Sequence, residues 1–172
     1  MGKKIVMITG SAHHPGSSEA LADAFETGAK AAGHDVYRFN AGAEQVEPLR
    51  VTADQVTIPA QDTVATALLP RLLKADIVVL VTPIYYFEMV GTLKTVIDRF
   101  YQYNHELKGK KSVLLATCNS GPDTFESLQA FYRQFTQYMR WESLGTVLAD
   151  GVYLPKDLAD WPAQAEALGR RL

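Results

Sequence analysis

The seven residues Asp76-Ile77-Val78-Val79-Leu80-Val81-Thr82 constrain the fold more than any other stretch of the chain. Five consecutive aliphatic residues leave no polar face to turn toward water. Such a strand is stable only with both faces covered, which places it inside a parallel sheet with helices packed on either side. Pro83 is expected to end it. Further strand patterns lie over Lys3 to Thr9, His34 to Asn40, Lys111 to Thr117 and Leu144 to Tyr153.

Between them the apolar spacing changes to that of helices. Leu21, Phe25, Ala29 and Ala32 mark a helix over Ser17 to Gly33, with Ser17 a candidate N-cap and Gly33 suited to the C′ position. Asp62 to Lys74 is a second, in which Pro70 forces a kink or a restart. Leu93, Val96, Ile97, Phe100 and Tyr101 carry a third to about Asn104, on which Asp98 and Arg99 suggest a local ion pair or an interface contact. A fourth, capped at Asp123 or Thr124, buries Leu128, Phe131, Tyr132, Phe135 and Met139. The last runs from Trp161 to Arg171. Alternating strands and helices predict an α/β fold with a five-stranded parallel sheet, its site at the carboxyl ends of the strands.

The length of 172 residues suits one domain spanning 1–172. A net charge of −2 with no basic run argues against nucleic acid or an anionic membrane surface as partner. The apolar run after Lys4 is too short for a signal peptide or a membrane span, which predicts a cytoplasmic protein. Cys118 is the only cysteine, so no internal disulfide or multi-cysteine metal site can form. The four histidines lack metal-ligand spacing, and no structural metal is expected. From Ala41 to Gln61 the periodicity is lost, and a connection of that length is usually functional.

After the first strand comes Gly10-Ser11-Ala12-His13-His14-Pro15-Gly16-Ser17-Ser18. A strand that breaks at Gly and opens a Ser-rich helix start has the form of a phosphate cradle, because N–H groups and hydroxyls converge there. Gly10 and Gly16 are one residue too far apart for a Walker A loop, and no Lys follows. The dinucleotide fingerprint fails too, since Ser11 and Ala12 stand where its second Gly belongs. With no Lys or Arg in the loop, an anion must rely on backbone amides, the Ser11, Ser17 and Ser18 hydroxyls and the helix dipole.

Two further loops follow strand ends. Pro83-Ile84-Tyr85-Tyr86-Phe87 is aromatic, and Cys118-Asn119-Ser120-Gly121-Pro122 is rich in backbone and amide donors. A phosphate cradle beside a flat aromatic wall and a donor-rich loop matches a flat heteroaromatic phosphate monoester, the shape of FMN. Donors near Tyr86 or Asn119 would favour its reduced form.

The stretch Pro83 to Arg99, with Tyr85, Leu93-Lys94 and Asp98-Arg99, resembles the Pro-x-Tyr…Leu-Lys-x-x-x-Asp-Arg signature of the NADPH-dependent FMN reductase and flavodoxin-like reductase family. Gly10-Ser11 with Gly16-Ser17-Ser18 is similar to that family's phosphate loop, where His13 stands in a position often held by Arg and Ser17 in one often held by Asn. The resemblance implies a flavodoxin-like three-layer sandwich with strand order 2-1-3-4-5. It implies that Ser11, His13, Gly16, Ser17 and Ser18 hold the FMN phosphate. Pro83, Ile84, Tyr85, Tyr86 and Phe87 would hold the isoalloxazine, with Asn119 and Gly121 closing the far side. The 41–61 stretch lacks the cysteines of the iron–sulfur branch.

The implied activity is hydride uptake from NADPH or NADH and electron transfer to a quinone, azo, nitro or flavin acceptor by a ping-pong cycle, in a homodimer or homotetramer. Two alternatives stay open: a flavodoxin-type carrier with a protein partner, against which the small net charge argues, and a scaffold with weakened flavin binding.

Overall fold

The computed structural model describes residues 2–172. Five parallel strands form its sheet: β1 Lys4–Thr9, β2 Asp35–Asn40, β3 Ile77–Tyr85, β5 Lys111–Thr117 and β6 Glu142–Ala149, in the order β2-β1-β3-β5-β6. A two-residue strand, β4 Glu88–Met89, pairs antiparallel with the end of β3. Apart from that hairpin, the order is the expected one. The central strand is the aliphatic run, where Ile77 to Val81 are all buried. Their side chains alternate between two cores, Val78 and Leu80 entering one and Ile77, Val79 and Val81 the other.

Helices α1 Ser17–Ala31 and α5 Trp161–Arg170 cover one face. The other is covered by α2 Leu69–Leu73, α3 Gly91–Asp98 and α4 Glu126–Met139. The α1–α5 contact is made at glycine. A Cβ on Gly169 would stand 2.3 Å from the Phe25 carbonyl oxygen and 2.8 Å from the Ala29 nitrogen, and one on Gly28 would stand 2.1 Å from the Glu166 carbonyl oxygen. Both obstacles are backbone, so an added methyl must push the helices apart. Gly169→Ala gains up to about 1 kcal/mol in helix propensity but overpacks the contact by about 1–3 kcal/mol. A net loss of stability is expected in denaturant unfolding.

Several boundaries differ from the sequence reading. The strand predicted to stop at Pro83 continues to Tyr85. The ladder to β1 ends at Val81, so Pro83 lies where one side of β3 is already free of a neighbour and proline is tolerated. The last strand begins at Glu142 and ends at Ala149, short of Tyr153. Pro70 acts as the restart: it has no N–H to donate, and the turn before it widens to a π-helix over Val64–Leu68, in which the Leu69 N–H reaches the Val64 carbonyl. The third helix tightens to a 3₁₀ helix over Arg99–Tyr103. The fourth is preceded by another over Pro122–Phe125, so neither Asp123 nor Thr124 caps it.

The aromatic residues of α4 are largely taken up inside the chain. Tyr132 is buried with its hydroxyl 2.7 Å from Ser112 Oγ, and Phe135 meets Trp141 edge-on at 5.2 Å. Tyr138 stays exposed.

Candidate functional site

The chain runs from β1 to its outer neighbour β2 and then crosses to β3 on the other side. The crevice between the carboxyl ends of β1 and β3 is therefore the point where ligands settle in open α/β sheets. A cavity of about 560 Å³ opens there, within the usual range for small-molecule sites. Ser11, His13, Gly16, Ser17, Ser18, Pro83, Ile84, Tyr85 and Asn119 all line it, so one space gathers nine of the residues singled out in the sequence.

The cradle is built from below. Gly10 donates its N–H to Val81 O at 2.9 Å, which ties the loop to β3. A Cβ there would meet Val90 Cγ2 at 2.6 Å and Leu93 Cβ at 2.8 Å, so the loop lies directly on the start of α3. Gly16, not Ser17, takes the N-cap position and offers no side-chain acceptor. The first-turn N–H groups of Ser17, Ser18 and Glu19 have no partner within the helix and lie at the positive end of its dipole. Ser11 and Ser18 are buried in the floor, and Ser11 Oγ accepts the His13 N–H at 3.1 Å. The donor set suits an anion: oriented N–H groups and hydroxyls, with no carboxylate among the lining residues.

Pro83, Ile84 and Tyr85 form one wall. Tyr85 is 46% exposed, and its hydroxyl lies 3.3 Å from His13 Nδ1, linking wall and cradle. Tyr86 and Phe87 are not among the lining residues. They form the two-residue turn between β3 and β4, with φ of 50° and 68°, and are 98% and 65% exposed. Such a turn needs positive φ at both positions and favours an Asn-Gly pair, and two aromatic residues there carry backbone strain. The double substitution Tyr86→Asn with Phe87→Gly is expected to raise stability by about 1–2 kcal/mol, read from the shift in denaturant midpoint.

The third loop contributes Thr117, Cys118 and Asn119. Gly121 lies outside the cavity because the chain there turns into the 3₁₀ helix that begins at Pro122. Burial pushes the Cys118 thiol up, more than its contacts with Ser120 and Thr124 lower it, and Sγ donates to Ser120 O at 3.2 Å. A thiol so held is a small apolar wall element with no thiolate character.

Sequence reasoning missed the segment Val152-Tyr153-Leu154-Pro155, which also lines the cavity. The chain leaving β6 folds over the third loop, with Val152 N–H donating to Cys118 O at 2.7 Å and Gly151 N–H to Ser120 O at 2.9 Å. His14 and Pro15, which belong to the first loop but not to its implied phosphate contacts, line the cavity as well. His14 is engaged by Glu19 and Asn40.

Among the described residues, no group of His, Cys, Asp and Glu could hold a metal ion, and no helix is long and apolar enough to cross a membrane.

Fold and cavity together define a flavodoxin-like α/β protein with a Ser- and Gly-rich cavity, free of carboxylates, at the strand ends. Residues 3–152 match the model of the NADPH-dependent FMN reductase family, and the chain belongs to that family. It is similar to FMN-dependent NADH:quinone oxidoreductase 1 of Xanthomonas axonopodis pv. citri (strain 306), with 32% identity over 125 residues. That stretch covers 64% of this chain and 65% of the relative, a little under two thirds of the relative's length. Among solved structures, the NAD(P)H:quinone oxidoreductase from Methanothermobacter marburgensis superposes with a TM-score of 0.76 at 15% identity, covering 99% of this chain and 97% of its own. An FMN-dependent NADH-azoreductase from Bacillus anthracis str. Ames Ancestor, solved in complex with FMN, gives 0.71 at 14% identity, with 98% of each chain covered. At these identities the likeness is one of fold.

Proposed function

We propose that the cavity binds FMN and that the protein is an FMN-dependent oxidoreductase, taking hydride from NADPH or NADH and passing electrons to a quinone-type acceptor. Azo, nitro and free flavin compounds are further candidate acceptors, with donor and acceptor using the same open face in turn. One observation carries the reading: a single cavity without carboxylates joins the uncapped start of α1 to the strand-end wall of Pro83, Ile84 and Tyr85. Family membership and the names of the relatives support it.

Bound FMN supplies a ring system that accepts hydride and passes electrons on, so no side chain need act as acid or base. The residues here bind and orient. Ser11, Ser17 and Ser18 offer hydroxyls to a phosphate, Gly16 leaves the first-turn amides open, and His13 reaches the same point from the rim. Pro83, Ile84 and Tyr85 together with the segment Val152 to Pro155 would line the space for a flat ring. The Asn119 amide can donate to the polar edge of the ring. In this reading Tyr86 and Phe87 stand at the mouth, beside the path that donor and acceptor take.

A carboxylate placed in the cradle tests it. Ser17→Asp sits at the first helical position, where an acid suits the helix, yet it faces the phosphate with like charge. FMN binding is expected to weaken by at least about tenfold while riboflavin binding changes little, as measured by fluorescence titration. Equal losses for both flavins would contradict a phosphate cradle at this loop.

A further inference from the structure

The cavity lining contains no Lys, Arg, Asp or Glu, and the only side chains in it that can become cations are His13 and His14. Tyr85 and Tyr153 bring hydroxyls and Cys118 a thiol pushed up by burial, none of which supplies positive charge. Whatever cationic field an anion meets from the lining therefore depends on imidazole.

The two histidines are not equivalent. His14 Nδ1 lies 2.9 Å from Glu19 Oε1, and its Nε2 lies 3.0 Å from Asn40 Nδ2. The Asn40 carbonyl oxygen in turn accepts from Thr9 Oγ1 at 3.2 Å. Its ring thus donates to a carboxylate from α1 and accepts from an amide at the end of β2. Any charge it gains is matched by Glu19, which also faces Arg38 of β2 at 3.6 Å. His14 is a structural tie and adds little net charge to the cradle.

His13 is held differently. Its backbone N–H is fixed on Ser11 Oγ, and its ring meets one protein partner among the described residues, the Tyr85 hydroxyl of β3 at 3.3 Å from Nδ1. Among the described residues, the contact with a carboxylate at this loop is made by His14 and not by His13. The Tyr85 hydroxyl can donate to Nδ1 of the neutral ring and accept from Nδ1–H of the protonated one. Protonation therefore needs no rearrangement, leaves Nε2–H directed elsewhere, and places an uncompensated positive charge at the cradle.

We propose that His13 makes phosphate binding at this cradle depend on pH, so that FMN is held tightly by the imidazolium form and more weakly by the neutral ring. This rests on the flavin reading above and adds the regulation of that site. Imidazole changes charge between about pH 5 and 8, and a phosphate monoester keeps most of its second negative charge above about pH 6. The sign follows from charge alone: a proton gained by His13 while the ligand stays a dianion raises affinity. Below about pH 6 the ligand loses charge and the gain levels off. By linkage, bound phosphate favours the protonated ring. A rise in pH loosens the cofactor.

The test compares dissociation constants of FMN and riboflavin for the full chain, by flavin fluorescence, at about pH 6.5 and about pH 8.5. FMN is expected to bind roughly three- to tenfold tighter at the lower pH, with riboflavin unchanged. His13→Gln should hold FMN at the weak level at both pH values, and His13→Arg at the tight level at both. His14→Gln should keep the pH difference. Equal FMN affinity at both pH values in the natural protein, a pH difference that survives His13→Gln, or one shared by riboflavin would overturn the proposal. Binding of neither flavin at either pH would overturn the flavin reading and the proposal together.

Discussion

Gly42→Ala is expected to cost the protein its grip on FMN, although Gly42 belongs to neither the cradle nor the cavity wall. It lies in the single 3₁₀ turn Ala41–Ala43 that follows β2, directly behind the first loop. A Cβ built on it would stand 1.8 Å from the Ser11 carbonyl oxygen, 2.3 Å from the Ser11 carbonyl carbon and 2.9 Å from the Ala12 nitrogen. These are backbone atoms, so no side chain can swing aside. Either the turn or the cradle must move by about an ångström. The turn is held by the buried Ala41 and by β2 pairing through Asn40, so the cradle gives way. Overpacking should lower stability by about 1–3 kcal/mol, and loss of even one hydrogen bond to the charged phosphate should weaken FMN binding by about tenfold or more. Folded protein, verified by circular dichroism, that binds FMN as tightly as before would show that the cradle does not hold the phosphate.

Arg99→Leu is expected to produce the largest loss of stability. Arg99 and Asp62 form a buried pair, their side chains 3% and 5% exposed, with Nη1 3.0 Å from Oδ2. Asp62 also accepts N–H groups from Glu47 at 2.8 Å and Ala65 at 3.0 Å, and Arg99 Nη1 donates to Glu47 O at 3.1 Å. The pair thus pins the irregular 44–62 segment to the 3₁₀ helix after α3. Removing the guanidinium leaves a buried carboxylate uncompensated, a change of about 3–5 kcal/mol. Burial pushes the Asp62 carboxyl up, but the Ala65 and Glu47 N–H groups and Arg99 outweigh it and hold it below the ordinary carboxylate range. A depressed carboxyl contributes stability that is complete above the unfolded-state range and is lost as the pH falls through the lower folded value. Acid unfolding should therefore show this loss in the natural protein. In Asp62→Asn, already less stable at neutral pH, that part of the acid slope should be missing. An Arg99→Leu protein as stable as the original would contradict the account of the pair.

The fold is legible where side-chain pattern alone decides it. Ile77 to Val81 can only be central, and the pattern over Lys111 to Thr117 matches β5 to the residue. Boundaries set by a neighbour are not legible in this way. The run from Leu144 to Tyr153 looks continuous, but its partner β5 ends at Thr117, opposite Ala149, and the chain beyond leaves the sheet. That exit carries Tyr153, 72% exposed, and Leu154 to the cavity, and no local pattern marks it. The hairpin at Tyr86-Phe87 is hidden for the opposite reason, since aromatic residues are poor candidates for a turn that needs positive φ twice.

The site is legible through its loops. Gly and Ser at the end of an apolar run mark a candidate cradle by type and spacing, and the fold brings Ser11, Ser17 and Ser18 to one cavity. The supports of that cradle do not. Asn40, which engages His14, and Gly42 reach it from the end of β2, distant in sequence, and the pairing of β2 with β1 brings them to the loop. Adjacency in sequence suggests a local pair between Asp98 and Arg99. Asp98 instead pairs with Lys94 on the helix surface, leaving Arg99 free to turn inward to Asp62.

The central claim is that this cavity holds FMN and exposes it to a nicotinamide donor. Anaerobic titration of the FMN-loaded protein with NADH and NADPH, followed in the visible absorption of the flavin, tests that most directly. A bound flavin spectrum that bleaches rapidly on adding at least one of the nucleotides and returns when a quinone is supplied is the expected result. A protein that binds no FMN, or whose bound flavin keeps its colour with both nucleotides, would contradict it.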